Sequence, residues 1–316
     1  MSPLEVLERD YPLIDSSFRM FCASHGIFTV QDFLVHDLYE LEAFAERDYA
    51  QDKLKQGIAQ MVSKIESQRR PWLNGLELLE DSQINKGTLS TGCERIDVLL
   101  QGGLREGHVT ELVGPSSSGK TQICLKAASN VSRKYSGTVM YFDTGNSFSA
   151  KRIAQFLSQP SDPADIEVNK TVQRVMSSIV CHSIFDIFTL LDMLHQLMNN
   201  LKSQIGCQVR MLIIDSLSSL IAPILGGGGA HGHSLMLTAG FLLKELAHEH
   251  NLSVVVTNHM VAGEAGISKP ALGESWKSIP HVRLLLSRYN AINGSCISIL
   301  KHPYLAAGKT TEFMVR

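Results

Sequence analysis

From residue 88 onward, short runs of apolar residues alternate with longer stretches of helical periodicity. The runs predict strands at Val109–Val113, Val139–Asp143, Val175–Val180, Val209–Asp215 and Leu252–Asn258, with closing strands at Val282–Ser287, Cys296–Leu300 and Glu312–Val315. The periodic stretches predict helices at Thr121–Ser132, Ile184–Leu201 and Leu235–Ala247. Such alternation is typical of an α/β fold with a mostly parallel sheet and helices on both faces. In these sheets, ligands bind at the carboxyl ends of the strands.

The chain before residue 70 shows only helical spacing. Two apolar sets carry this signal, namely Leu34, Leu38, Leu41 and Ala45, and then Leu54, Ile58, Met61, Val62 and Ile65. The segment Arg69-Arg70-Pro71 is expected to end the last helix, because the residue before proline disfavours helical geometry. We therefore predict a small all-α N-terminal domain over residues 1–70, a linker over 71–87 and the α/β domain over 88–316.

Composition and charge narrow the class of protein. Hydrophobic residues make up 44% and charged residues 19%, which is typical of a globular protein and excludes a disordered one. No run of 18 apolar residues exists, and the first residues lack the basic start and apolar core of a signal peptide, so we expect an intracellular protein without a membrane span. Residues 1–85 hold 15 Asp and Glu against 8 Lys and Arg, which favours a protein contact over nucleic acid.

The strongest motif follows the predicted strand Val109–Val113. It fits GxxxxGK[ST] at every position and reads Gly114-Pro115-Ser116-Ser117-Ser118-Gly119-Lys120-Thr121. The glycines permit a backbone that points several N–H groups at phosphate oxygens, and the following helix adds the positive end of its dipole. Lys120 is expected to reach the β- and γ-phosphates, and the Thr121 hydroxyl to ligate Mg²⁺. The motif therefore predicts a P-loop that binds ATP with Mg²⁺.

The second motif is a carboxylate that directly follows the apolar run Met211-Leu212-Ile213-Ile214. Asp215 ends this predicted strand, where P-loop NTPases place the acidic partner of the magnesium ion. An aspartate that merely caps the turn at Ser216 is the alternative. We predict that Thr121 and Asp215 form the magnesium site.

The order of these motifs resembles the RecA-type strand-exchange recombinases of eukaryotes. The resemblance covers nearly the whole chain and includes the stretches from Ser90 to Leu104, Tyr141–Asp143, and Val254 to His259. Within that family the chain looks most like the D-type recombinase paralog, through the stretches His182–Phe188 and Lys269–Trp276. The resemblance implies a RecA-like P-loop ATPase core, a role in DNA repair and a nuclear location.

Two positions depart from the pattern of that family. The glutamate that activates the attacking water in active recombinases is matched here by Gly145, and no carboxylate lies between Asp143 and Asp162. A missing general base typically costs about 10²–10⁴ in rate, so we expect slow hydrolysis. The glutamine that senses the γ-phosphate is matched by His259, for which a solvent-facing histidine is the alternative.

The resemblance also implies contacts with the base and with DNA. Arg152 falls where the family stacks an arginine on adenine; a solvated charge on a helix is the alternative. Two segments match the DNA-binding loops, roughly Ala222–Ser234 and Met260–Ser275. Their candidate contacts are Gly226, Gly227, His231 and Lys269. Because they hold few cations, we expect weak and salt-sensitive binding of single-stranded DNA, or a surface loop without DNA contact.

The leading hypothesis is therefore an ATP-binding mediator of homologous recombination with weak DNA-dependent ATPase activity. The resemblance implies a complex with other recombinase paralogs, one held by the N-terminal region and linker and another by the ATPase domain. The alternative is an autonomous DNA-stimulated ATPase that forms filaments and exchanges strands, which needs a base and basic loops that the sequence lacks. A small-molecule kinase is disfavoured, because the recombinase-like order of motifs argues against it.

Overall fold

The structure is a computed structural model. It describes residues 4–7, 11–47, 50–68, 74–85, 87–135, 137–158, 166–203, 208–225, 230–263, 268–289 and 294–314. Its backbone contacts divide the chain into two compact units, Met1–Glu77 and Leu78–Arg316. Each unit is described separately below.

The first unit is helical in its described residues. After a 3₁₀ turn at Leu4–Leu7 it contains α1 (Ser16–Ser24), α2 (Val30–Val35), α3 (Leu38–Ala45) and α4 (Gln51–Gln68). Asp15, Thr29 and Asp37 each accept a backbone N–H at the start of a helix, so polar caps define the first three helices. The helices bury a common apolar core that includes Phe18, Phe33, Ile58 and Met61.

The first of the two apolar sets predicted for this unit does not lie on one helix. The chain breaks between α2 and α3 because Asp37 caps the new helix, its side chain accepting the N–H of Tyr39. Leu41 and Ala45 are buried, whereas Leu34 and Leu38 are exposed. The spacing predicted that all four residues face the core, but a new helix starts at the Asp37 cap and only two of the four are buried.

A further helix lies within the stretch predicted as a linker. This helix, α5 (Gly75–Asn85), begins where the Asn74 side chain accepts the N–H groups of Leu76 and Glu77 and the Glu77 carboxylate accepts the N–H of Asn74. The boundary between the two units falls inside α5. The domain limits of 1–70, 71–87 and 88–316 remain a prediction.

The second unit is built on a large twisted sheet. Its strands in chain order are β1 (Thr88–Leu89), β2 (Leu104–Arg105), β3 (Val109–Val113), β4 (Thr138–Asp143), β5 (Ile179–Ser183), β6 (Val209–Asp215), β7 (Ser253–Asn258), β8 (Met260–Ala262), β9 (Ser268–Pro270), β10 (Val282–Tyr289), β11 (Gly294–Lys301) and β12 (Thr310–Phe313). The large sheet has the order β12-β11-β10-β3-β7-β6-β4-β5. Pairing is parallel from β10 to β5 and antiparallel at β11 and β12.

Helices cover both faces of this sheet, as predicted. They are α6 (Glu94–Leu99), α7 (Lys120–Lys134), α8 (Ala150–Leu157), α9 (Ile166–Ser177), α10 (Ile187–Lys202), α11 (Leu217–Leu225), α12 (Ala230–His250) and α13 (Gly273–Trp276). Side chains along β6 alternate between two buried clusters: Met211 and Ile213 enter the one that holds α7, and Leu212 and Ile214 the one that holds α10 and α12. The predicted α/β class, with a mostly parallel sheet, is confirmed.

Two sequence predictions were wrong in detail. The strand expected at Val175–Val180 begins only at Ile179, and Val175 is buried on α9 instead, because a short apolar run does not by itself distinguish strand from helix. The loop expected at Ala222–Ser234 is largely helical, since α11 continues to Leu225 and α12 begins at Ala230. Gly232 lies on α12, where a Cβ atom would come within 2.5 Å of the Ile224 carbonyl oxygen, so this glycine serves close packing.

A partly buried histidine lies at the N-terminal end of the central strands. The His281 Nδ1 atom accepts the N–H of Val109 at 2.9 Å, and its ring stacks on His108 with centroids 4.7 Å apart. Burial, followed by the nearby charges of Lys244, Lys301 and His248, lowers the pKa of His281 to about 4. The ring is therefore neutral at physiological pH.

Within the described part of the chain, no helix is both long and apolar enough to cross a membrane.

Candidate nucleotide-binding site

The segment from Gly114 to Gly119 connects β3 to α7 at the carboxyl edge of the sheet. Gly119 has a φ of 99° and Ser117 a φ of 61°, so the loop turns through the left-handed region twice. A Cβ atom at Gly114 would lie 2.6 Å from the Ser118 hydroxyl and 2.7 Å from the Leu286 carbonyl oxygen. Glycine at 114 is therefore required by close packing, and glycine at 119 by backbone conformation.

Lys120 folds back over this loop. Its Nζ atom donates to the carbonyl oxygens of Gly114 at 2.7 Å and Pro115 at 2.9 Å. Burial lowers the pKa of the lysine, and the nearby carboxylate of Asp215 opposes that shift. The ammonium group and the N-terminal end of α7, which has 15 residues, thus direct positive charge at the same loop.

The Asp215 carboxylate accepts four side-chain hydroxyl groups at this edge. Its Oδ2 atom accepts the hydroxyls of Thr121 at 2.7 Å, Tyr141 at 3.0 Å and Ser147 at 3.3 Å, while Oδ1 accepts that of Thr257 at 2.6 Å. Burial raises the pKa of Tyr141 well above its ordinary value, so its hydroxyl remains a donor. Asp215 is therefore held as a buried acceptor beside Thr121, and the donors to its carboxylate are side-chain hydroxyl groups.

These groups fit a nucleotide and its magnesium ion. The loop packs closely at Gly114, has a left-handed backbone at Gly119 and holds the buried ammonium group of Lys120. A loop of this kind at the start of a helix suits a negatively charged phosphate chain. The hydroxyl of Thr121 and the carboxylate of Asp215 are hard oxygen donors on neighbouring elements. Magnesium in proteins takes a few such oxygens and completes its shell with phosphate and water.

The Asp143 carboxylate organises the chain after β4. It accepts the backbone N–H groups of Gly145 at 3.2 Å, Ser147 at 3.0 Å and Phe148 at 2.9 Å. Gly145 is exposed, and a Cβ atom built on it would meet nothing within 4 Å. The Asp143 carboxylate is therefore committed to this turn by three backbone N–H donors.

His259 follows β7, which lies between β3 and β6 in the sheet. Its Nε2 atom shares a hydrogen bond of 2.9 Å with the Ser216 hydroxyl, and its backbone N–H donates to the Ser218 hydroxyl at 2.9 Å. Partial burial and then the charge of Lys120 lower its pKa, although Asp215 acts in the opposite direction. The imidazole is therefore neutral at physiological pH and is held at the same edge as the P-loop.

Arg152 lies on α8 and packs against α7. Its Nε atom donates to the Gln122 side chain at 2.8 Å, and its guanidinium group lies 4.4 Å from the centre of the Phe156 ring. The side chain is thereby placed next to the residue that follows Thr121. A contact with adenine remains a prediction.

Comparison with known proteins supplies the family. The Rad51 family profile matches residues 84–293 of this chain. This chain belongs to the Rad51 family. The match spans β3, the P-loop, Asp215 and His259, so it covers the whole candidate site, and the resemblance predicted from the motifs is confirmed.

Individual relatives agree with this assignment. The chain is 35% identical over 295 residues to DNA repair protein RAD51 homolog 4 of Bos taurus, which covers 90% of this chain and 87% of that protein. It is 39% identical over 218 residues to the Mus musculus protein of the same name, covering 68% and 65%, respectively. The probable DNA repair protein RAD51 homolog 4 of Dictyostelium discoideum is 30% identical over 252 residues, covering 69% and 71%. Rad51 family proteins bind ATP, usually with Mg²⁺.

The candidate DNA contacts lie on separate elements of this Rad51 family member. His231 is exposed on the first turn of α12, and Lys269 is exposed on β9, in the hairpin with β8. Gly226 and Gly227 lie outside the described residues. DNA contact at these positions remains a prediction.

Sequence reasoning missed two buried polar side chains on β7 that support the carboxylates of Asp215 and Glu111. Thr257 and Asn258 are polar and fully buried at the end of the apolar strand β7. Thr257 donates to Asp215, and Asn258 donates to Glu111 at 2.7 Å. A polar pair that ends an apolar strand was the available signal, because a buried polar group needs a partner.

Proposed function

We propose that this chain is an ATP-binding DNA repair protein that mediates homologous recombination and double-strand break repair within a complex of recombinase paralogs. The observation that carries the proposal is an intact P-loop with its Asp215 partner beside a glycine at the base position. The printed names of the relatives, DNA repair protein RAD51 homolog 4, agree with it. A nuclear location follows from a role in DNA repair.

ATP is proposed to bind through the segment Gly114–Thr121, with magnesium held by Thr121 and Asp215. When bound, magnesium would neutralise charge on the phosphate oxygens. Lys120 would release the carbonyls of Gly114 and Pro115 to contact phosphate, because an ammonium group binds a charged phosphate oxygen more strongly than a neutral carbonyl oxygen. His259 and Arg152 are proposed to contact the γ-phosphate and the adenine.

Hydrolysis is proposed to be slow and to depend on single-stranded DNA. The carboxylate that would accept a proton from water is replaced by Gly145, while Asp143 accepts backbone N–H groups only a few residues away. Loss of a positioned base typically lowers a rate by about 10²–10⁴. Nucleotide binding uses other groups and does not need that carboxylate.

Two surfaces support the proposed assembly with other paralogs. In the first unit, Met20 and Phe28 are 72% and 63% exposed and line a cavity of about 520 Å³ beside the buried Leu4 and Ile27. Exposed apolar side chains next to a cavity are typical of a docking site for a protein. With the acidic charge of residues 1–85, this favours a paralog partner over DNA at the N-terminal region and linker.

In the second unit, β5 ends the sheet and pairs with β4. An edge strand offers backbone N–H and C=O groups for a further strand. Phe185 and Phe188, which follow β5, are 70% and 62% exposed. A second paralog is proposed to add a strand at this edge and cover these rings.

The alternative function is an autonomous filament-forming ATPase that catalyses strand exchange. It requires a base near Gly145 and cations in the two DNA segments. Residues 222–234 contain no Lys or Arg, and residues 260–275 contain only Lys269. Few cations give weak attraction to phosphate, so this alternative is disfavoured.

The test is steady-state ATP turnover by the purified chain, with and without single-stranded DNA, together with binding of a fluorescent ATP analogue in Mg²⁺. Lys120→Ala serves as the blank, and Lys126→Ala is a matched control because it removes a lysine from the same helix outside the loop. We expect clear binding and turnover near the blank.

The two readouts separate the hypotheses. Normal nucleotide binding by Lys120→Ala would refute the P-loop site. Strong turnover stimulated by DNA would refute the mediator proposal and favour the autonomous ATPase. The proposal requires nucleotide binding with turnover only slightly above the blank, and this binding must be lost in Lys120→Ala and kept in Lys126→Ala.

A further inference from the structure

One face of the large sheet is covered by helices with an excess of positive charge. The helices α7, α8 and α9 share a buried apolar cluster with Met211 and Ile213 of β6, so they lie on the same side of the sheet. Together these three helices contain eight Lys and Arg and one Glu. The helices on the other face, α10, α11 and α12, contain two Lys and three Asp and Glu. Positive charge is therefore concentrated on one side of a chain whose net charge is −2.

Five of these cations are exposed on the solvent side of the helices. They form what we term the basic face and are Arg133, Lys134, Lys151, Lys170 and Arg174. None of the five forms an ion pair with another described residue. The connection between α8 and α9 contains Asp162 and Asp165, which lie outside the described residues. With these two counted, the three helices and this connection still hold eight cations against three carboxylates.

Helix packing joins the basic face into one surface. The Arg174 guanidinium group of α9 donates to the Arg133 carbonyl oxygen at 3.3 Å, at the end of α7. Lys151 lies near the start of α7, because the next residue, Arg152, donates to the Gln122 side chain. Between these two points α7 runs for 15 residues, or about 22 Å. This length matches about six base pairs of duplex DNA, in which each strand carries a phosphate about every 3.4 Å.

Helix stability accounts for only part of this charge. Arg133 and Lys134 lie in the last turn of α7, where the helix dipole favours cations. The first turn of α8 instead contains Lys151 and no acidic residue, although the dipole there favours anions. Lys170 and Arg174 are four residues apart on α9, and like charges at this spacing destabilise a helix. An anionic ligand would offset both unfavourable arrangements.

Carboxylates limit the basic face on the side of α6. Glu94 and Asp97 line a cavity of about 450 Å³ together with Arg133 and Lys134. The Asp97 carboxylate also accepts the Ser90 hydroxyl at 2.7 Å. Positive charge that no neighbouring carboxylate balances is therefore centred on α8 and α9.

The side chains of the basic face fit a phosphate backbone. Lys and Arg neutralise phosphates whatever the base sequence. Proteins that bind single strands commonly add aromatic side chains on which bases stack. Among the described residues, none of the exposed large apolar side chains lies on α7, α8 or α9. The face therefore suits the backbone of a duplex better than the unpaired bases of a single strand.

We propose that the basic face binds the phosphate backbone of double-stranded DNA, at a site separate from residues 222–234 and 260–275. The choice of DNA as the anion rests on the proposed function in DNA repair. The duplex lies along α7, α8 and α9, away from the hairpin that contains Lys269. Binding there needs neither nucleotide nor the ammonium group of Lys120.

The test is the salt dependence of duplex binding by the full-length chain without nucleotide, measured by fluorescence anisotropy of a labelled oligonucleotide. If five phosphates are neutralised, the logarithm of the binding constant falls with the logarithm of the salt concentration with a slope of about −4.5. The affinity should then drop on the order of 10²–10³ between about 50 and 200 mM salt. Duplexes of different sequence should bind equally within about twofold, and a single strand of the same length should bind more weakly.

The deciding variant is Lys151→Gln with Lys170→Gln. It should reduce the steepness of the slope by about 1.8 and lower the affinity about tenfold or more, because two phosphate contacts are lost. Lys202→Gln with Lys277→Gln is the matched control. It removes two exposed lysines on the side of α10 and α12 and should leave the slope unchanged. Melting temperatures confirm that both double variants are folded.

Each outcome decides the proposal. It is overturned if Lys151→Gln with Lys170→Gln binds duplex like the wild type, or if only Lys269→Gln lowers the slope, which would place the duplex on the hairpin. Polyglutamate that binds with the same affinity and slope as the duplex would assign the face to an acidic protein and also overturns it. If the double variant does not fold, Arg174→Gln must reduce the steepness by about 0.9, and an unchanged slope overturns the proposal.

These readouts are independent of the nucleotide site. A wild-type chain that binds ATP but no duplex overturns this inference alone. A chain that binds duplex through the basic face but binds no ATP overturns the proposed nucleotide site alone. Lys120→Ala should therefore lose nucleotide binding and keep the wild-type salt slope for duplex DNA.

Discussion

Restoring a carboxylate at Gly145 should raise ATP turnover. The position accepts a side chain, because a Cβ atom would meet nothing within 4 Å and the φ of Gly145 lies outside the left-handed region. The backbone N–H that donates to Asp143 is retained in any such variant. Replacing a glycine at a compatible position also restricts the unfolded chain, so Gly145→Glu should keep or slightly raise stability, by up to about 1 kcal/mol.

The expected increase in ATP turnover of Gly145→Glu follows from the rate contribution of a general base. A positioned general base contributes about 10²–10⁴ in rate, which corresponds to about 3–5 kcal/mol of the barrier. Asp143 organises the backbone at residues 145, 147 and 148, but a Cβ atom at position 145 would meet nothing within 4 Å, so neighbouring side chains would orient a glutamate there only weakly. Since misplaced groups lose much of their effect, we expect a gain of about tenfold or more instead of the full range.

The assay is single-turnover and steady-state hydrolysis at saturating ATP and Mg²⁺, with Gly145→Gln as the control of equal size that lacks a base. The gain should be present in the glutamate variant only and should disappear in the double variant with Lys120→Ala. If both Gly145 variants bind nucleotide and hydrolyse it at the wild-type rate, the absence of a base at 145 is not what limits hydrolysis, and the reasoning is refuted.

Three further changes test the site and its surroundings. Asp215→Asn should lower magnesium-dependent nucleotide affinity about tenfold or more, because the side-chain amide has one accepting oxygen where the carboxylate has two. Nucleotide titrations with and without Mg²⁺ check this, and equal affinities of the variant and the wild type in Mg²⁺ would contradict it. Because the pKa of His281 falls to about 4 on folding, the unfolding free energy should decrease as the pH falls from about 6.5 toward 4. His281→Asn should reduce that loss by about 1–2 kcal/mol, allowing for solvent screening, in denaturant titrations at several pH values. Gly240→Ala should cost about 1–3 kcal/mol, because the new Cβ atom would lie 2.9 Å from the Ile279 side chain and 3.0 Å from the Trp276 ring, whereas Gly145→Ala should not be destabilising; equal melting temperatures would exclude the crowding.

Local patterns predicted the elements whose residues are close together in sequence. Eight consecutive residues were enough to predict the P-loop, because the glycines that set its backbone and the side chains that bind phosphate and magnesium are adjacent in sequence. The strand Val209–Asp215 was predicted with the bounds that the structure has, since a fully buried parallel strand is apolar throughout. The prediction at Val175–Val180 failed for the converse reason, because two short apolar groups on either side of a helix end look like one strand.

The loop predicted at Ala222–Ser234 shows a second limit. Glycine predicts a turn when it supplies a left-handed conformation, but Gly232 is needed for close approach to the Ile224 carbonyl oxygen. Sequence spacing cannot distinguish these two uses, since the crowding atom belongs to another helix. The same holds for Gly145, whose open surroundings become known only once its neighbours are placed.

The sequence by itself predicted the candidate chemistry of this protein: the P-loop and the acidic strand end are local features that a few consecutive residues specify, and the family resemblance marked Gly145 as the position of the missing base. The tertiary structure decided which groups act together. Asp215 meets Thr121 across 94 residues, and Glu111 meets Trp276 across 165, because parallel strands bring their carboxyl ends and their buried faces into one place. Such contacts depend on the order of strands in the sheet, which no local pattern encodes.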